Sequence, residues 1–267
     1  REPEAAPALF EAIDRLAELN PSFISVTFGA GGSDTNGSIE VLSYIKNQTQ
    51  AVPLAHLTCV GTTEKESRST IQQFLDAGIR DFLALRGDLP QGQTQLASDS
   101  LSNASELVGV IRNVANAPGS RVAVAAFPNG HPESGKDRSD LLALKAKQDA
   151  GADFAITQLF FYAQDYFNFL ELAKSYGITI PIVPGIMPIT SAKRLTRVLE
   201  LTGEREPTEL TQALAAAMDA SERLEVGISW AANLVAELVA GGASGIHLYA
   251  FNEHKNVTEV LRRAGLV

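Results

Sequence analysis

Short apolar runs that alternate with helical stretches are the feature that most constrains how this chain folds. Seven such runs, rich in β-branched residues, occur at residues 23–27, 53–60, 81–86, 122–127, 154–161, 180–186 and 246–251. Most are apolar at successive positions, as expected of parallel strands whose two faces are both covered by helices. The pattern therefore predicts an α/β fold with a buried parallel sheet.

The segments between these runs have helical periodicity. Apolar residues at helical spacing form one stripe in the first of them, at Leu9, Ile13 and Leu16. Thr63 and Glu66 have the spacing of a capping box at the start of the third helix. The predicted helices are 7–19, one around 39–45, one from Thr63, one from Ser98 or Asp99 to 114, 137–150, 164–175, 191–201, a short one within 203–221, 223–240 and 253–264.

Strands joined by helices through short connections favour a closed (β/α)8 barrel of the TIM type. Seven strands are visible, so we expect the first strand of the barrel to be missing before residue 1. The length of 267 residues suits a single barrel domain over residues 1–267. A doubly wound open sheet is the alternative, but neither of the usual Gly-rich phosphate loops is present.

Composition limits the function classes. The net charge is −9 and no Lys/Arg cluster interrupts it, which argues against nucleic-acid binding. Cys59 is the only cysteine, so neither an internal disulfide nor a cysteine-rich metal site is expected, and the four histidines lack metal-ligand spacing. No apolar run reaches the ~20 residues that span a bilayer, and no signal peptide is seen. We expect a cytoplasmic protein without metal or membrane partner.

Chemistry in such a barrel lies at the carboxyl ends of the strands. Polar residues and glycines are concentrated there, and each has an ordinary structural alternative. His56 is either a ligand-binding group or a hydrogen-bonded core histidine, and Asp88 is either functional or a turn cap. Lys147 is either functional or solvated. Gln158 lies in an apolar stretch, where an amide needs hydrogen-bond partners, so a functional role is favoured.

Six motifs stand in order along the chain: SVTFGA (25–30), HLTC (56–59), ALRGDLP (84–90), HPE (131–133), ITQLFF (156–161) and PGIMP (184–188). Together they closely resemble the bacterial methylenetetrahydrofolate reductases. The resemblance covers nearly the whole chain. It implies a role in one-carbon metabolism and methionine biosynthesis. It also implies a barrel that binds FAD non-covalently at its strand ends.

The implied reaction is ping-pong: NADH or NADPH reduces the flavin and leaves, and 5,10-methylenetetrahydrofolate is then reduced to 5-methyltetrahydrofolate in the same place. A flavin- or folate-binding homologue without reductase activity is the main alternative. An aldolase-like lyase is a weaker one, because none of the strand ends offers a Schiff-base lysine. Bacterial members of the family are often homo-oligomers, so the resemblance also implies self-association.

Residue roles follow from the matching motifs. Asp88 and Gln158 are implied to be catalytic and to contact the substrate. Arg86 and Lys147 are implied partners of the FAD diphosphate. Asp140 is implied either to accept from a ribose hydroxyl or to position a base. The implied FAD contacts are Thr27, His56, Arg86, Gly87, Asp88, Phe127, His131, Asp140 and Lys147.

The chain also departs from the family pattern. Phe127 stands where a tyrosine is usual, Ala143 and Ala146 replace polar residues, and Glu253 stands where an arginine is often found. Arg194 and Val198 differ on the substrate side as well. The family's general-acid glutamate belongs to the first strand, and we expect it upstream of Arg1.

Overall fold

The fold is described from a computed structural model that covers residues 6–27, 35–87, 99–115 and 119–267. Each of the seven predicted runs contains a strand. The sixth contains two, because Pro184 interrupts it and proline has no N–H for a sheet. The strands are β1 (Phe23–Val26), β2 (Val52–Thr58), β3 (Asp81–Leu85), β4 (Val122–Ala126), β5 (Phe154–Thr157), β6 (Ile182–Val183), β7 (Gly185–Ile186) and β8 (His247–Leu248).

Helices follow the strands as the periodicity predicts. They are α1 (Ala6–Ala17), α2 (Thr35–Gln48), α3 (Glu64–Asp76), α4 (Ala104–Val114), α5 (Ser139–Asp149), α6 (Ala163–Ser175), α7 (Ala192–Thr202), α8 (Thr208–Ala216), α9 (Ala220–Ala240) and α10 (His254–Arg263). A 3-10 helix, Pro132–Asp137, precedes α5, where the sequence predicts the start of a continuous helix.

Two sheets are formed by the described strands. The larger has the order β1-β2-β3-β4-β5-β6, and the smaller pairs β7 with β8. Neighbouring strands run parallel where their register is defined, with Val26 opposite Ala55 and Thr58 opposite Leu85. The prediction of an α/β fold with a parallel sheet is confirmed, and the closed eight-stranded barrel stays a prediction.

Local capping explains where two helices begin. Thr63 and Glu66 form the predicted capping box: the Glu66 N–H donates to Thr63 Oγ1 at 3.2 Å, and the Thr63 N–H donates to Glu66 Oε2 at 2.8 Å. The predicted start of the fourth helix at Asp99 is wrong, and the other candidate, Ser98, lies outside the described residues. Helix α4 begins after Asn103, whose Oδ1 accepts from the Glu106 N–H at 3.1 Å.

The chain divides into two compact units. The first comprises Arg1–Ala125 and Leu142–Ala155, and the second Ala126–Leu141 and Ile156–Val267. The single domain over residues 1–267 stays a prediction. The buried side chains of the first unit include Leu42, Phe74 and Phe82. The core of the second unit contains Leu159, Phe161, Ile189, Leu195, Val198, Leu210 and Leu214.

The helices of the described residues are short or polar relative to a membrane span. None of those helices combines the length and the apolar character that a transmembrane segment needs.

Candidate active site

The ends of β2 and β3, in the first unit, are held together by backbone hydrogen bonds. The carbonyl of Arg86 accepts from the Val60 N–H at 2.8 Å and from the Cys59 N–H at 3.1 Å. The Cys59 thiol donates to the same carbonyl at 3.5 Å, and burial raises the pKa of that thiol to about 11. Cys59 is therefore an unreactive packing residue, and these contacts fix the backbone from which the Arg86 side chain projects.

Gly87 follows directly and has a steric reason to be glycine. Its φ is +83°, and an added Cβ would lie 3.0 Å from Thr58 Cβ and 3.2 Å from Thr58 Cγ2. Both the left-handed backbone and the tight approach to β2 favour a residue without a side chain. The next residue, Asp88, lies outside the described residues, as does the Gly-rich stretch after Thr27, so their predicted roles stay predictions.

His56 lies within β2, opposite Leu83 on β3. Its Nε2 is buried and has no hydrogen-bond partner among the described residues. Burial lowers the pKa of His56 to about 4, so the imidazole is neutral at pH 7. A buried nitrogen without a partner is costly for the protein alone, which favours the ligand-binding interpretation over the satisfied core histidine. Thr27, at the end of neighbouring β1, is exposed.

Lys147 on α5 is a buried cation in the first unit. It is 8% exposed, and its Nζ donates to the carbonyl of Ala125 at 2.5 Å. The interpretation of Lys147 as a solvated surface lysine is therefore wrong. An ammonium group withdrawn from water needs hydrogen-bond acceptors, and the Ala125 carbonyl is one of them.

Asp140 in the second unit is paired within the protein. Its side chain is 3% exposed, and Arg138 donates to its two oxygens at 3.0 and 3.1 Å. Arg138 also donates to the carbonyl of Phe127 at 3.2 Å and has a φ of 53°, which is uncommon for a residue with a side chain. Sequence reasoning missed Arg138, although a basic residue two positions before a candidate carboxylate is a usable signal.

His131 and Phe127 form an aromatic pair in the same unit. Their ring centroids are 4.6 Å apart and the rings are nearly perpendicular, at 85°. The Nδ1 of His131 accepts from the Glu133 N–H at 3.1 Å, which caps the 3-10 helix and leaves Nε2 to carry the proton of the neutral ring. His131 thus has a defined tautomer and orientation, and it is not a freely exposed loop residue.

Gln158 follows the last residue of β5, so it lies at the strand end and not within the strand as the sequence predicts. Its N–H donates to the Ala126 carbonyl at 2.8 Å, and its Oε1 accepts from the Leu159 N–H at 2.9 Å. Its half-buried Nε2 makes no hydrogen bond to a described residue. The anchored oxygen orients the amide, and the remaining NH2 group can donate to a ligand.

Tyr249, which sequence reasoning passed over, lies beside this strand end. Its hydroxyl donates to the carbonyl of Thr157 at 2.9 Å, and the Thr157 Oγ1 accepts from the Gly185 N–H at 2.8 Å. A Cβ added at Gly185 would lie 2.3 Å from that carbonyl, so only glycine fits. These contacts hold β5, β7 and β8 in fixed relation at the place from which Gln158 projects.

Arg194, Glu253 and Val198, which the sequence places on the substrate side, lie in two places. Arg194 and Glu253 form a bidentate ion pair with distances of 2.9 and 3.1 Å, at a small depression also lined by Pro188 and Tyr249. That hydrogen bonding lowers the pKa of Glu253. Val198 is buried in the core of the second unit. The Arg194 guanidinium is thus paired with the Glu253 carboxylate.

The predicted residues therefore divide between the units. His56, Arg86, Gly87, Thr27 and Lys147 belong to the first, and Phe127, His131, Asp140 and Gln158 to the second. Within the first unit, β2 and β3 join the His56, Arg86 and Gly87 positions. Within the second, Arg138 joins Asp140 to Phe127, and Phe127 contacts His131.

Comparison with known proteins agrees with the motifs. Residues 1–265 match the family described as methylenetetrahydrofolate reductase. The 5,10-methylenetetrahydrofolate reductases of Salmonella typhimurium and Escherichia coli are each 36% identical over 253 residues, which is 94% of this chain and 83% of each relative. Methylenetetrahydrofolate reductase (NADH) 1 of Arabidopsis thaliana is 34% identical over 271 residues, 97% of this chain and 46% of the plant protein.

A solved structure from Clostridium thermocellum, of a protein described as binding two copies of 5-methyl-5,6,7,8-tetrahydrofolic acid, has the same fold. It has a TM-score of 0.65 over 100% of this chain and 91% of that chain. Its sequence is 16% identical, so this likeness concerns the fold alone. The family match over nearly every residue and the identity to the bacterial enzymes show that the chain belongs to the methylenetetrahydrofolate reductase family.

Proposed function

We propose that this chain is a flavoprotein oxidoreductase that reduces 5,10-methylenetetrahydrofolate to 5-methyltetrahydrofolate at the expense of NADH or NADPH. The two substrates use one place in turn, in a ping-pong mechanism. The family match over residues 1–265, which includes the strand-end motifs, is the observation that carries the proposal. The plant relative named for NADH supports the nicotinamide nucleotide as the reductant.

The described residues fit a non-covalent FAD. When bound, FAD supplies the two-electron carrier between the nicotinamide and the folate. The Nε2 of His56 is a buried polar atom that lacks a protein partner and suits a polar ligand atom. Arg86 and Lys147 provide positive charge for a diphosphate. Asp140 accepts two hydrogen bonds from Arg138, and a carboxylate has room for about two more, so a ribose hydroxyl remains a suitable partner.

Gln158 is the residue we propose to orient both substrates. Its Oε1 is held by the Leu159 N–H, and its Nε2 is available to donate to a carbonyl of a pterin or of a nicotinamide. Asp88 is proposed to add a negative charge beside the reacting groups and so to tune hydride transfer. We further propose that the strands belong to a closed (β/α)8 barrel and that the protein is a cytoplasmic homo-oligomer.

The test is a comparison of the two half-reactions in wild type and Asp88→Asn. We expect a purified protein that binds FAD, bleaches with NADH under anaerobic conditions and regains its colour with methylenetetrahydrofolate. The variant is expected to slow folate reduction more than NADH oxidation.

Asp76→Asn is the matched control, because Asp76 is exposed and, among the described residues, its side chain bonds only to Gln72 on its own helix. Equal losses in both half-reactions would contradict the role of Asp88. A protein that binds FAD but never transfers electrons would instead be a binding homologue.

A further inference from the structure

Asn129 joins three separate segments of the second unit. It lies in the turn after β4, two residues after Phe127. Its Nδ2 donates to Glu204 Oε2 at 2.7 Å and to Asp165 Oδ2 at 3.3 Å. Asp165 is in the first turn of α6, and Glu204 follows the end of α7. Both hydrogens of one amide are therefore used to connect the turn after β4 to two helix ends.

A second contact joins two of the same segments. Gly203, the residue before Glu204, packs against Pro132, since a Cβ added at Gly203 would lie 3.3 Å from Pro132 Cγ. The Glu204 N–H donates to Thr202 Oγ1 at 3.3 Å, which fixes the backbone of this loop. His131, paired with Phe127, lies between the two contact points in sequence. The chain is thus held on both sides of His131, and Phe127 lies two residues before the first of these contact points.

The Asn129 contacts bring like charges together. Asp165 and Arg205 are the charged groups that face Glu204, and Arg205 also lies over the Tyr162 ring, 5.6 Å from its centroid. Burial, with a smaller contribution from Asp165, raises the pKa of Glu204 to about 6, against the opposing effects of Asn129 and Arg205. Burial of Glu204 in the folded loop therefore favours its neutral form, whereas the bond from Asn129 favours the carboxylate. The net stabilisation is present below pH 4.5 and is lost as the pH rises through 6.

We propose that Asn129 and Glu204 form a clamp that positions residues 127–131 for FAD binding. The proposal rests on the proposed function, because it assumes that Phe127 and His131 contact FAD. Asn129 and Glu204 are positioning residues, which act through the turn and do not touch the cofactor. FAD binding and clamp closure then strengthen each other by the same factor, as linkage requires.

The clamp is tested first without FAD, by hydrogen exchange on the purified chain. In Asn129→Ala, we expect faster exchange at residues 127–133 than in wild type. The matched control is Asn168→Ala, which removes an exposed amide whose one bond to the part of the chain that the structure describes is to Gln164 within α6. The proposal is overturned if the exchange rates of the turn are unchanged in Asn129→Ala, or if the control variant speeds up exchange there equally.

FAD affinity and its pH dependence form the second test. Loss of the two hydrogen bonds of Asn129 in Asn129→Ala is expected to weaken FAD binding about ten-fold. Glu204→Gln keeps an acceptor but cannot ionise. It should bind FAD as wild type does at pH 5 and roughly three- to ten-fold more tightly than wild type at pH 8.

Glu206→Gln, an exposed residue of the same loop, should follow wild type at both pH values. If the ratio of the Glu204→Gln and wild-type dissociation constants does not change with pH, the proposal is wrong. If wild type fails to bind FAD at all, the proposed function fails, and the hydrogen-exchange result still decides whether the clamp exists.

Discussion

Replacing Gly87 by alanine tests the rigid connection between the ends of β2 and β3. The φ of +83° costs alanine about 1 kcal/mol relative to glycine. The new Cβ would lie 3.0 and 3.2 Å from two Thr58 carbons, so the turn or Thr58 must move, and such overpacking costs about 1–3 kcal/mol. We expect the free energy of unfolding to fall by about 3 kcal/mol and the Tm to fall by roughly 6–12 °C.

Gly61→Ala is the matched control for this prediction. Gly61 also has a positive φ, of +78°, but no atom of a described residue other than its chain neighbours lies within 4 Å of its added Cβ. It should therefore show the conformational cost alone, about 1 kcal/mol. Urea unfolding and thermal denaturation measure both variants, and FAD titration should show weaker binding only for Gly87→Ala. If Gly87→Ala is no less stable than Gly61→Ala, the steric argument for Gly87 is refuted.

Three further predictions concern His56, Arg138 and Gln158. The pKa of His56 is about 4 in the folded protein and near 6.5 in the unfolded chain. Between these two pH values, the imidazole binds a proton when the protein unfolds. Stability should therefore fall by up to about 3 kcal/mol as the pH drops through that window, and His56→Gln should lose this dependence in urea unfolding. Arg138→Met leaves a buried carboxylate unpaired and should cost about 3 kcal/mol, whereas Arg197→Met, from an exposed pair, should cost under about 1 kcal/mol in the same assay. Gln158→Ala should slow both half-reactions in stopped-flow measurements, because both substrates use its amide, while the exposed Gln164→Ala should slow neither.

Strand positions were predictable because burial on both faces leaves a continuous apolar run in the sequence. Each of the seven runs contains a strand, and the Thr63–Glu66 capping box has the predicted geometry. Strand ends were less predictable. Residues 158–161 remain largely apolar and buried after β5 has ended at Thr157, so hydrophobicity does not distinguish strand from the buried loop that follows.

The start of α4 shows a limit of local patterns. Both Asp99 and Asn103 are competent capping residues, and Ser100 forms a bridge with Thr63 that keeps the chain extended there. Only the tertiary contact decides between the two caps. The partner of Asp140 was missed for a similar reason, since Arg138 reaches it from a left-handed backbone conformation that its own sequence does not predict.

Most candidate site residues were predicted from the family resemblance and not from periodicity. The structure adds physical reasons for several of them: an unpartnered buried nitrogen at His56, a glycine requirement at position 87 and an oriented amide at Gln158. The Asn129 contacts were not predictable, because Asn129, Asp165 and Glu204 are far apart in the sequence and meet only after folding.

The most direct test of the proposed function follows the flavin absorbance through both half-reactions in one anaerobic sample. The full-length protein is purified, loaded with FAD and titrated with NADH, and then 5,10-methylenetetrahydrofolate is added. We predict bleaching of the flavin band by one equivalent of NADH, its full return on addition of the folate, and stoichiometric 5-methyltetrahydrofolate. A flavin that NADH does not bleach, or a reduced flavin that the folate does not reoxidise, would contradict the proposal that this chain is a methylenetetrahydrofolate reductase.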